Sequence, residues 1–179
     1  MENPFLIGNK IYLRAPEQGD EKIIALSENH PDPRQTLYFA LPSNPQQHQQ
    51  KINERLEDPN SIIFTIVSLE QDQAIGSTSF FRIDWVGRMA IFYIAIAEKD
   101  NWSKGYGSEA TQMMVNYAFN TLNLNRIQLH VSTENEAAVK AYKKAGFHTE
   151  GTLRQAMFNN NHYSDFYVMA ILRQDWEKS

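Results

Sequence analysis

Asn101-Trp102-Ser103-Lys104-Gly105-Tyr106-Gly107-Ser108-Glu109-Ala110 joins two unlike patterns. Upstream, residues 89–97 are apolar and aromatic without a break, as a buried strand requires. Downstream, Ala110, Met113, Met114, Tyr117 and Ala118 recur at helical spacing. The stretch therefore reads as strand, glycine turn and helix start. The first N–H groups of a helix have no internal partner, and the helix dipole is positive at that end. Glycine lets the backbone approach a phosphate where a Cβ would obstruct it. A pyrophosphate cradle is the first expectation.

The rest of the chain frames this unit. Residues 7–14 read as a first strand through Ile11 and Leu13, ended by Pro16. Asp20 stands where it could cap a helix carrying Ile23, Ile24 and Leu26, and His30-Pro31-Asp32-Pro33 reads as a turn or loop. Asn44-Pro45 is a cap and first-turn pair for a second helix through Leu56, with Gln46-Gln47-His48-Gln49-Gln50 on its solvated face. Between them, Leu37-Tyr38-Phe39-Ala40-Leu41 either covers the core or walls a substrate cleft. Residues 61–68 and 74–83 are two strands linked by Glu70-Gln71-Asp72-Gln73, and Asp84-Trp85-Val86-Gly87 turns into the 89–97 strand. After the helix over 106–121 come a strand over 126–132 and a helix over 135–145 closed by Gly146. Strands over 147–157 and 162–172 follow, joined at Asn159-Asn160-Asn161. The order predicts a mixed sheet with helices on its faces, the strand–helix–strand unit around the glycine turn being parallel and right-handed.

At 179 residues, with 42% hydrophobic and 21% charged positions, the chain suits one globular domain, with no internal repeat or linker. Cysteine is absent, which excludes disulfides, thiolate metal sites and a cysteine nucleophile. The net charge of −4 argues against nucleic acid or an anionic membrane as partner and tolerates a cationic substrate. The N-terminus lacks a signal-peptide profile, and no apolar run reaches the ~20 residues that span a bilayer. A cytoplasmic location is the default expectation. Five scattered histidines offer no pair at ligand spacing, so no metal is expected. His162, Ser164 and Asp165 match a hydrolytic triad in composition alone, without a nucleophile elbow. The dinucleotide fingerprint needs a third glycine that residues 105–110 do not supply, and no Gly-Lys-Ser/Thr marks a P-loop.

A second constellation runs Asn135, Ala138, Tyr142, Gly146, Phe147. Together, residues 102–110 and this Asn-x-x-Ala-x-x-x-Tyr-x-x-x-Gly-Phe spacing resemble the GNAT superfamily of N-acetyltransferases. Glu150-Gly151-Thr152-Leu153-Arg154, His162-Tyr163-Ser164-Asp165, Met169-Ala170-Ile171-Leu172 and Asp175-Trp176 narrow the resemblance. They are similar to the branch of ribosomal-protein alanine N-acetyltransferases and spermidine acetyltransferases. The resemblance implies one acyl-CoA N-acyltransferase domain over residues 1–179, an α+β (mixed α/β) fold. Its sheet is central, mixed and mostly antiparallel, with about seven strands, about four flanking helices and a splay between the fourth and fifth strands.

The same resemblance implies acetyl-CoA as cosubstrate. Main-chain amides of Trp102, Ser103, Lys104, Gly105, Tyr106, Gly107 and Ser108 would hold its pyrophosphate. Ala95, Ile96 and Ala97 would pair with the pantetheine arm, Asn135 would hydrogen-bond beside it, and Ala138 would keep its helix close. Tyr142 matches the tyrosine that protonates the departing thiolate, although residues alone would also allow it as an apolar-stripe aromatic. Acetyl transfer would be direct, in a ternary complex, to a primary amine: a protein N-terminus, a polyamine or another small amine. The glutamate base of some members falls at Ile91 here, so that role does not carry over; His130, Glu98, Asp84 and His162 are the remaining candidates beside a water chain. Glu28, Asp32 and Glu54 are the acids available to wall an amine pocket. A homodimer is compatible with the sequence, and a non-catalytic acyl-CoA-binding module is the alternative reading.

Overall fold

Alternation along the strands decides which residues reach each face of the sheet. The structure, a computed structural model, describes residues 3–34, 39–159 and 161–178. Strands β1 (Leu6–Ile7), β2 (Ile11–Arg14), β3 (Ile62–Ser68), β4 (Gln73–Asp84), β5 (Met89–Ile96), β6 (Arg126–Ser132), β7 (His148–Asn159) and β8 (His162–Leu172) form one sheet in the order β1-β2-β3-β4-β5-β6-β8-β7. Every neighbouring pair is antiparallel except β5 and β6, which are parallel as the strand–turn–helix–strand reading requires.

Helices α4 (Tyr106–Asn120) and α5 (Glu136–Lys144) cover one face, and α1 (Glu21–Asn29) and α3 (Pro45–Glu57) the other. Phe64, Phe80 and Phe92 enter the α4 core with Met114, Phe119, Ile127 and Phe147. Each such side chain contributes about 1.5–3 kcal/mol by leaving water. Their strand neighbours Ile63, Phe81 and Tyr93 point to the α1–α3 face by the two-residue period.

The β5–β6 pairing sets up the site. It runs only Met89↔Arg126, Ala90↔Ile127 and Ile91↔Gln128. Beyond it, β5 stays paired to β4 as far as Gly76↔Ile96, and β6 to β8 as far as Ser132↔Phe166. The sheet therefore forks after Ile91, the splay expected between the fourth and fifth strands, which are β5 and β6 here because the expected first strand is two and the sheet has eight strands. A Cβ at Gly76 would lie 2.1 Å from the Ala95 carbonyl oxygen, so only glycine permits this close approach of β4 to the β5 tip.

The structure corrects several expectations. The strand over 7–14 is two strands: Gly8 N–H donates to the Ile11 carbonyl at 2.9 Å, folding the chain back as a hairpin. The Glu109 carboxylate accepts from the N–H groups of Asn9 and Lys10, pinning that hairpin to the first turn of α4. Pro31 opens a one-turn helix, α2 (Pro31–Arg34), where a turn or loop was expected, because proline is tolerated in a first helical turn. Asp20 stands before α1 but makes no side-chain cap. Its carboxylate instead accepts from Arg14 at 2.6 and 3.0 Å and from the Thr65 hydroxyl at 2.6 Å. That buried cluster ties β2, β3 and the start of α1 together. The sequence also gave no signal for α6 (Arg173–Trp176), whose Trp176 ring lies 5.4 Å from Phe119.

Other expectations hold. Asn44 caps α3 through a capping box with Gln47, and Gly146 is left-handed at φ 95° after α5. Of the apolar loop, Phe39 is half-buried and Leu41 exposed, which excludes core cover for those two; Leu37 and Tyr38 lie outside the described residues, as does Asn160.

Candidate active site

The glycine turn forms as a backbone device. Ser103 (φ 59°) and Gly105 (φ 90°) are both left-handed, and Gly105 is the N-cap of α4 without a side-chain acceptor. Consequently the N–H groups of Tyr106, Gly107 and Ser108 have no hydrogen-bond partner among the described residues; the first intrahelical bond is Glu109 N–H to the Gly105 carbonyl at 3.0 Å. A Cβ on Gly107 would meet nothing nearer than Ile96 Cγ1 at 3.9 Å, so the space over these donors is open. The Lys10 ammonium donates to the Lys104 carbonyl at 2.9 Å and braces the turn from its outer side. There Asn9, Lys10, Leu69, Glu70, Ser103, Lys104 and Tyr106 line a surface hollow of about 720 Å³.

From the turn, the open edge of β5 leads to the fork. Ala97 N–H donates to the Ile75 carbonyl at 3.0 Å, and antiparallel partners alternate. The peptide groups of Ala95 and Tyr93 therefore face β4, and those of Ile94 and Ile96 face the gap. Trp102 departs from the expected role of its main-chain amide: its N–H donates to the Lys99 carbonyl at 2.9 Å and closes the preceding turn, while its indole Nε1 donates to the Ile96 carbonyl at 3.0 Å and fixes the direction of the strand end.

Helix α5 supplies the other side of the gap. Asn135 accepts the Ala138 N–H at 3.1 Å, so its oxygen serves the helix cap and its amide nitrogen is the part left to meet a ligand. Ala138 is half-buried beneath that turn. Tyr142, on the same helix, packs edge-on against Phe92 (centroids 6.3 Å apart, 86°) and against Phe147 (5.9 Å). Phe92 is the first β5 residue beyond the paired segment, so Tyr142 stands at the mouth of the fork. Its hydroxyl has no hydrogen bond among the described residues. Burial among these rings pushes the Tyr142 phenol well above its ordinary range and keeps it protonated.

Across the sheet, under α1 and α3, lies a pocket of about 280 Å³. Its floor includes Ser77, Phe81 and Tyr93, its helical walls include Ile24, Glu28, His48 and Arg55, and Phe39, His130 and Phe166 also line it. Tyr93 is pushed up first by burial and then by the nearby Glu28 carboxylate, and its phenol feels Tyr142 as well. Tyr93 lines the pocket from β5, and its neighbour Phe92 carries Tyr142 on the opposite face of the sheet.

Glu28 is the only expected acid that lines the pocket. Asp32 pairs with Lys99 at 3.7 Å, and Glu54 accepts from Gln50 at 2.9 Å on the outer surface of α3. Glu28 itself lies 3.1 Å from His48 Nε2 and 3.7 Å from Lys51 Nζ. His48, buried beneath α3, is held below the usual imidazole range chiefly by burial, against the pull of Glu28. The expected solvated face through Gln46-Gln47-His48-Gln49-Gln50 is corrected at His48, which is buried beside Ile52, and Lys51 and Arg55 went unremarked because charged residues are ordinary on a helix this polar.

Of the base candidates, only His130 borders the pocket. Asp84 accepts the N–H groups of Val86 and Gly87 at 2.9 and 2.8 Å and builds the β4–β5 turn. Glu98 precedes the one-turn 3-10 segment Lys99–Asn101. His162 and Ser164 both hydrogen-bond Glu134, at 3.1 and 2.9 Å, so the acid stands between them and no imidazole activates the hydroxyl.

Comparison with known proteins agrees with this geometry. The sequence model of the acetyltransferase (GNAT) domain family matches residues 10–148. An uncharacterized N-acetyltransferase of Bacillus licheniformis, p20, is 31% identical over 177 residues, covering 96% of this chain and 97% of that protein. The spermidine N(1)-acetyltransferase of Vibrio cholerae is 29% identical over 95% of this chain and 97% of its own length. A crystal structure of spermidine N-acetyltransferase from Vibrio cholerae in complex with CoA and spermine superposes with a TM-score of 0.85, at 29% identity, over 95% of this chain and 99% of that one.

Proposed function

The chain belongs to the GNAT acetyltransferase family, and from that premise we propose how its residues carry out acetyl-CoA-dependent N-acetylation. The observation that carries the reading is the fork: β5 loses its partner after Ile91, beside an unclaimed helix N-terminus and under Tyr142.

The residues fit acetyl-CoA. Peptide groups of Ile94 and Ile96 on the open edge can pair with the amide-bearing pantetheine arm as an added strand would, with Ala95 and Ala97 holding that edge to β4 and Asn135 and Ala138 facing it from α5. The N–H groups from Ser103 to Ser108 suit the pyrophosphate, and Lys10 and Lys104 add positive charge beside it. Acetyl-CoA supplies an activated thioester. The remaining work is the chain's: an outward N–H of β5 polarises the acetyl carbonyl, the pocket presents the amine, and Tyr142 gives its proton to the departing sulfur. The amine nitrogen must be neutral to attack, and His130 or water at the pocket mouth can take its proton. The acetyl group passes directly to nitrogen in a ternary complex.

We assign residues 1–179 to one N-acetyltransferase domain acting in the cytoplasm, on a small primary amine or a protein N-terminus. Among the described residues no helix is long and apolar enough to cross a membrane. A relative named for spermidine makes polyamines one class to test, and a relative described as dodecameric makes self-association, a homodimer included, another. The deciding experiment is thiol release from acetyl-CoA across a panel of amines and N-terminal peptides. CoA binding without release on any of them would refute the assignment.

A further inference from the structure

We propose that the amine acceptor of this enzyme carries a carboxylate, held by Arg55 with Lys51 beside it, and that a polyamine is a poor substrate. The proposal rests on the acetyltransferase reading above and concerns the charge of its amine pocket.

The chain as a whole is acidic, at −4, yet its pocket is not. Among the described residues the charged groups lining it are Glu28, Lys51 and Arg55, one carboxylate against two cations, with burial disfavouring a charge on His48. The carboxylate is already engaged. Glu28 faces His48 Nε2 at 3.1 Å, the Ser43 hydroxyl at 3.5 Å and the Lys51 ammonium at 3.7 Å, so its charge is balanced inside the wall. Asp32 and Glu54, the other acids that could have received a cationic chain, point elsewhere.

Arg55 is the opposite case. It lines the pocket one helical turn beyond Lys51, and among the described residues it makes neither an ion pair nor a side-chain hydrogen bond. It shares the lining of the pocket with Tyr93 on the floor and His48 on the wall. An unpaired guanidinium over a partly apolar cavity is a fork of donors with no acceptor supplied by the protein, and a carboxylate matches that fork in two parallel hydrogen bonds. A polyamine would instead bring further positive charge toward Arg55 and Lys51, where like charges oppose binding. The volume, about 280 Å³, lies just below the range usual for drug-sized ligands and suits an amine of amino-acid size.

The test measures kcat and KM by thiol release at saturating acetyl-CoA for alanine, alaninamide, the dipeptide Ala-Glu and spermidine. Wild type and the variants Arg55→Ala, Arg55→Lys and Arg55→Glu are compared, each checked for CoA affinity by calorimetry. The readout is the ratio of kcat/KM for alanine to that for alaninamide, in which intrinsic amine reactivity cancels between variants. Arg55→Ala should lower this ratio about tenfold or more through KM, Arg55→Lys should restore part of it, and Arg55→Glu should invert it and raise spermidine turnover. A stronger response for Ala-Glu than for alanine assigns the carboxylate to an acidic peptide; the reverse assigns it to a free amino acid. A ratio unmoved across the three variants, or a wild type that prefers spermidine, overturns the inference and leaves the acetyltransferase reading standing. No turnover on any amine by a wild type that binds CoA overturns both.

Discussion

Tyr142→Phe removes one oxygen and leaves a ring. Phe92 and Phe147 hold that ring at 6.3 and 5.9 Å, and phenylalanine keeps both contacts. The lost hydroxyl leaves no protein acceptor unpaired among the described residues, so folding stability should change by less than about 1 kcal/mol. Catalysis should respond quite differently. A positioned general acid is worth about 10²–10⁴-fold, and even the lower figure adds about 2.7 kcal/mol to the barrier. Thiol release at saturating acetyl-CoA and amine should therefore show kcat down about a hundredfold or more, while calorimetry shows CoA affinity little changed and the melting temperature holds. The pH dependence follows from the same burial. The phenol is pushed above its ordinary value, so it stays protonated, and able to donate, at every pH below that. Wild-type kcat should accordingly rise as the amine deprotonates and show no falling limb from Tyr142 up to about pH 10. An unchanged kcat in Tyr142→Phe, with single-turnover kinetics showing chemistry to be rate-limiting, refutes the role of the hydroxyl.

Other perturbations separate cradle, clamp and strand tip. Gly107→Val should abolish CoA binding by calorimetry while circular dichroism shows the fold retained, because the open space over the α4 donors fills and the nearest protein atom is 3.9 Å from the new Cβ; intact affinity would remove the turn as the pyrophosphate site. Asp20→Ala should destabilise by about 3 kcal/mol in urea unfolding at neutral pH, since it leaves the buried Arg14 guanidinium only the Ala15 carbonyl and the half-exposed Glu17 carboxylate at 3.8 Å. Burial alone would raise the Asp20 carboxyl, but hydrogen bonds from Arg14, Thr65 and the Glu17 N–H hold it below the usual range. Its stabilisation is thus present above the unfolded value, near pH ~3.9, and is lost as pH falls through the lower folded value, so the penalty of Asp20→Ala should shrink on acidification. Gly76→Ala forces the β5 tip away from β4 and should cost about 1–3 kcal/mol together with CoA affinity; a neutral outcome would mean that the tip adjusts freely.

The unit from residue 89 to residue 132 was legible because its signals are local. An unbroken apolar run, a glycine that turns left-handed and a helix with an apolar stripe each follow from neighbours in sequence. For Tyr142 the residues alone indicate a packed aromatic, and its packing against Phe92 and Phe147 agrees with that; the role proposed for its hydroxyl comes from the family resemblance carried by its spacing from Asn135. What could not be read was whatever depends on distant partners. Asp20 looked like a cap because nothing local showed that Arg14 and Thr65 would claim its carboxylate. The two-residue strand β1 exists because Glu109, a hundred residues on, holds the turn that follows it. In α3 the buried residues are His48 and Ile52, one turn apart, and hydropathy counts the histidine as surface. The pocket draws on elements scattered along the chain, so its charge could only be read once they were together.

The fork also bears on the order of events. Ile24, Ser77 and Tyr93 line the amine pocket from before the split, and His130 and Phe166 from strands beyond it. Within the sheet the short β5–β6 seam is the one join between these two groups, and on the α4–α5 face Tyr142 and Phe147 pack across the fork against Phe92. A molecule lying in the gap acts as a missing strand: it joins the halves and sets how far apart the pocket walls stand. An amine arriving first would meet walls with no strand between them in the gap, whereas one arriving after acetyl-CoA would meet walls bridged across it. The sheet geometry thus favours a compulsory sequence, cosubstrate before amine and acetylated product out before CoA. CoA would then inhibit competitively against acetyl-CoA and noncompetitively against the amine.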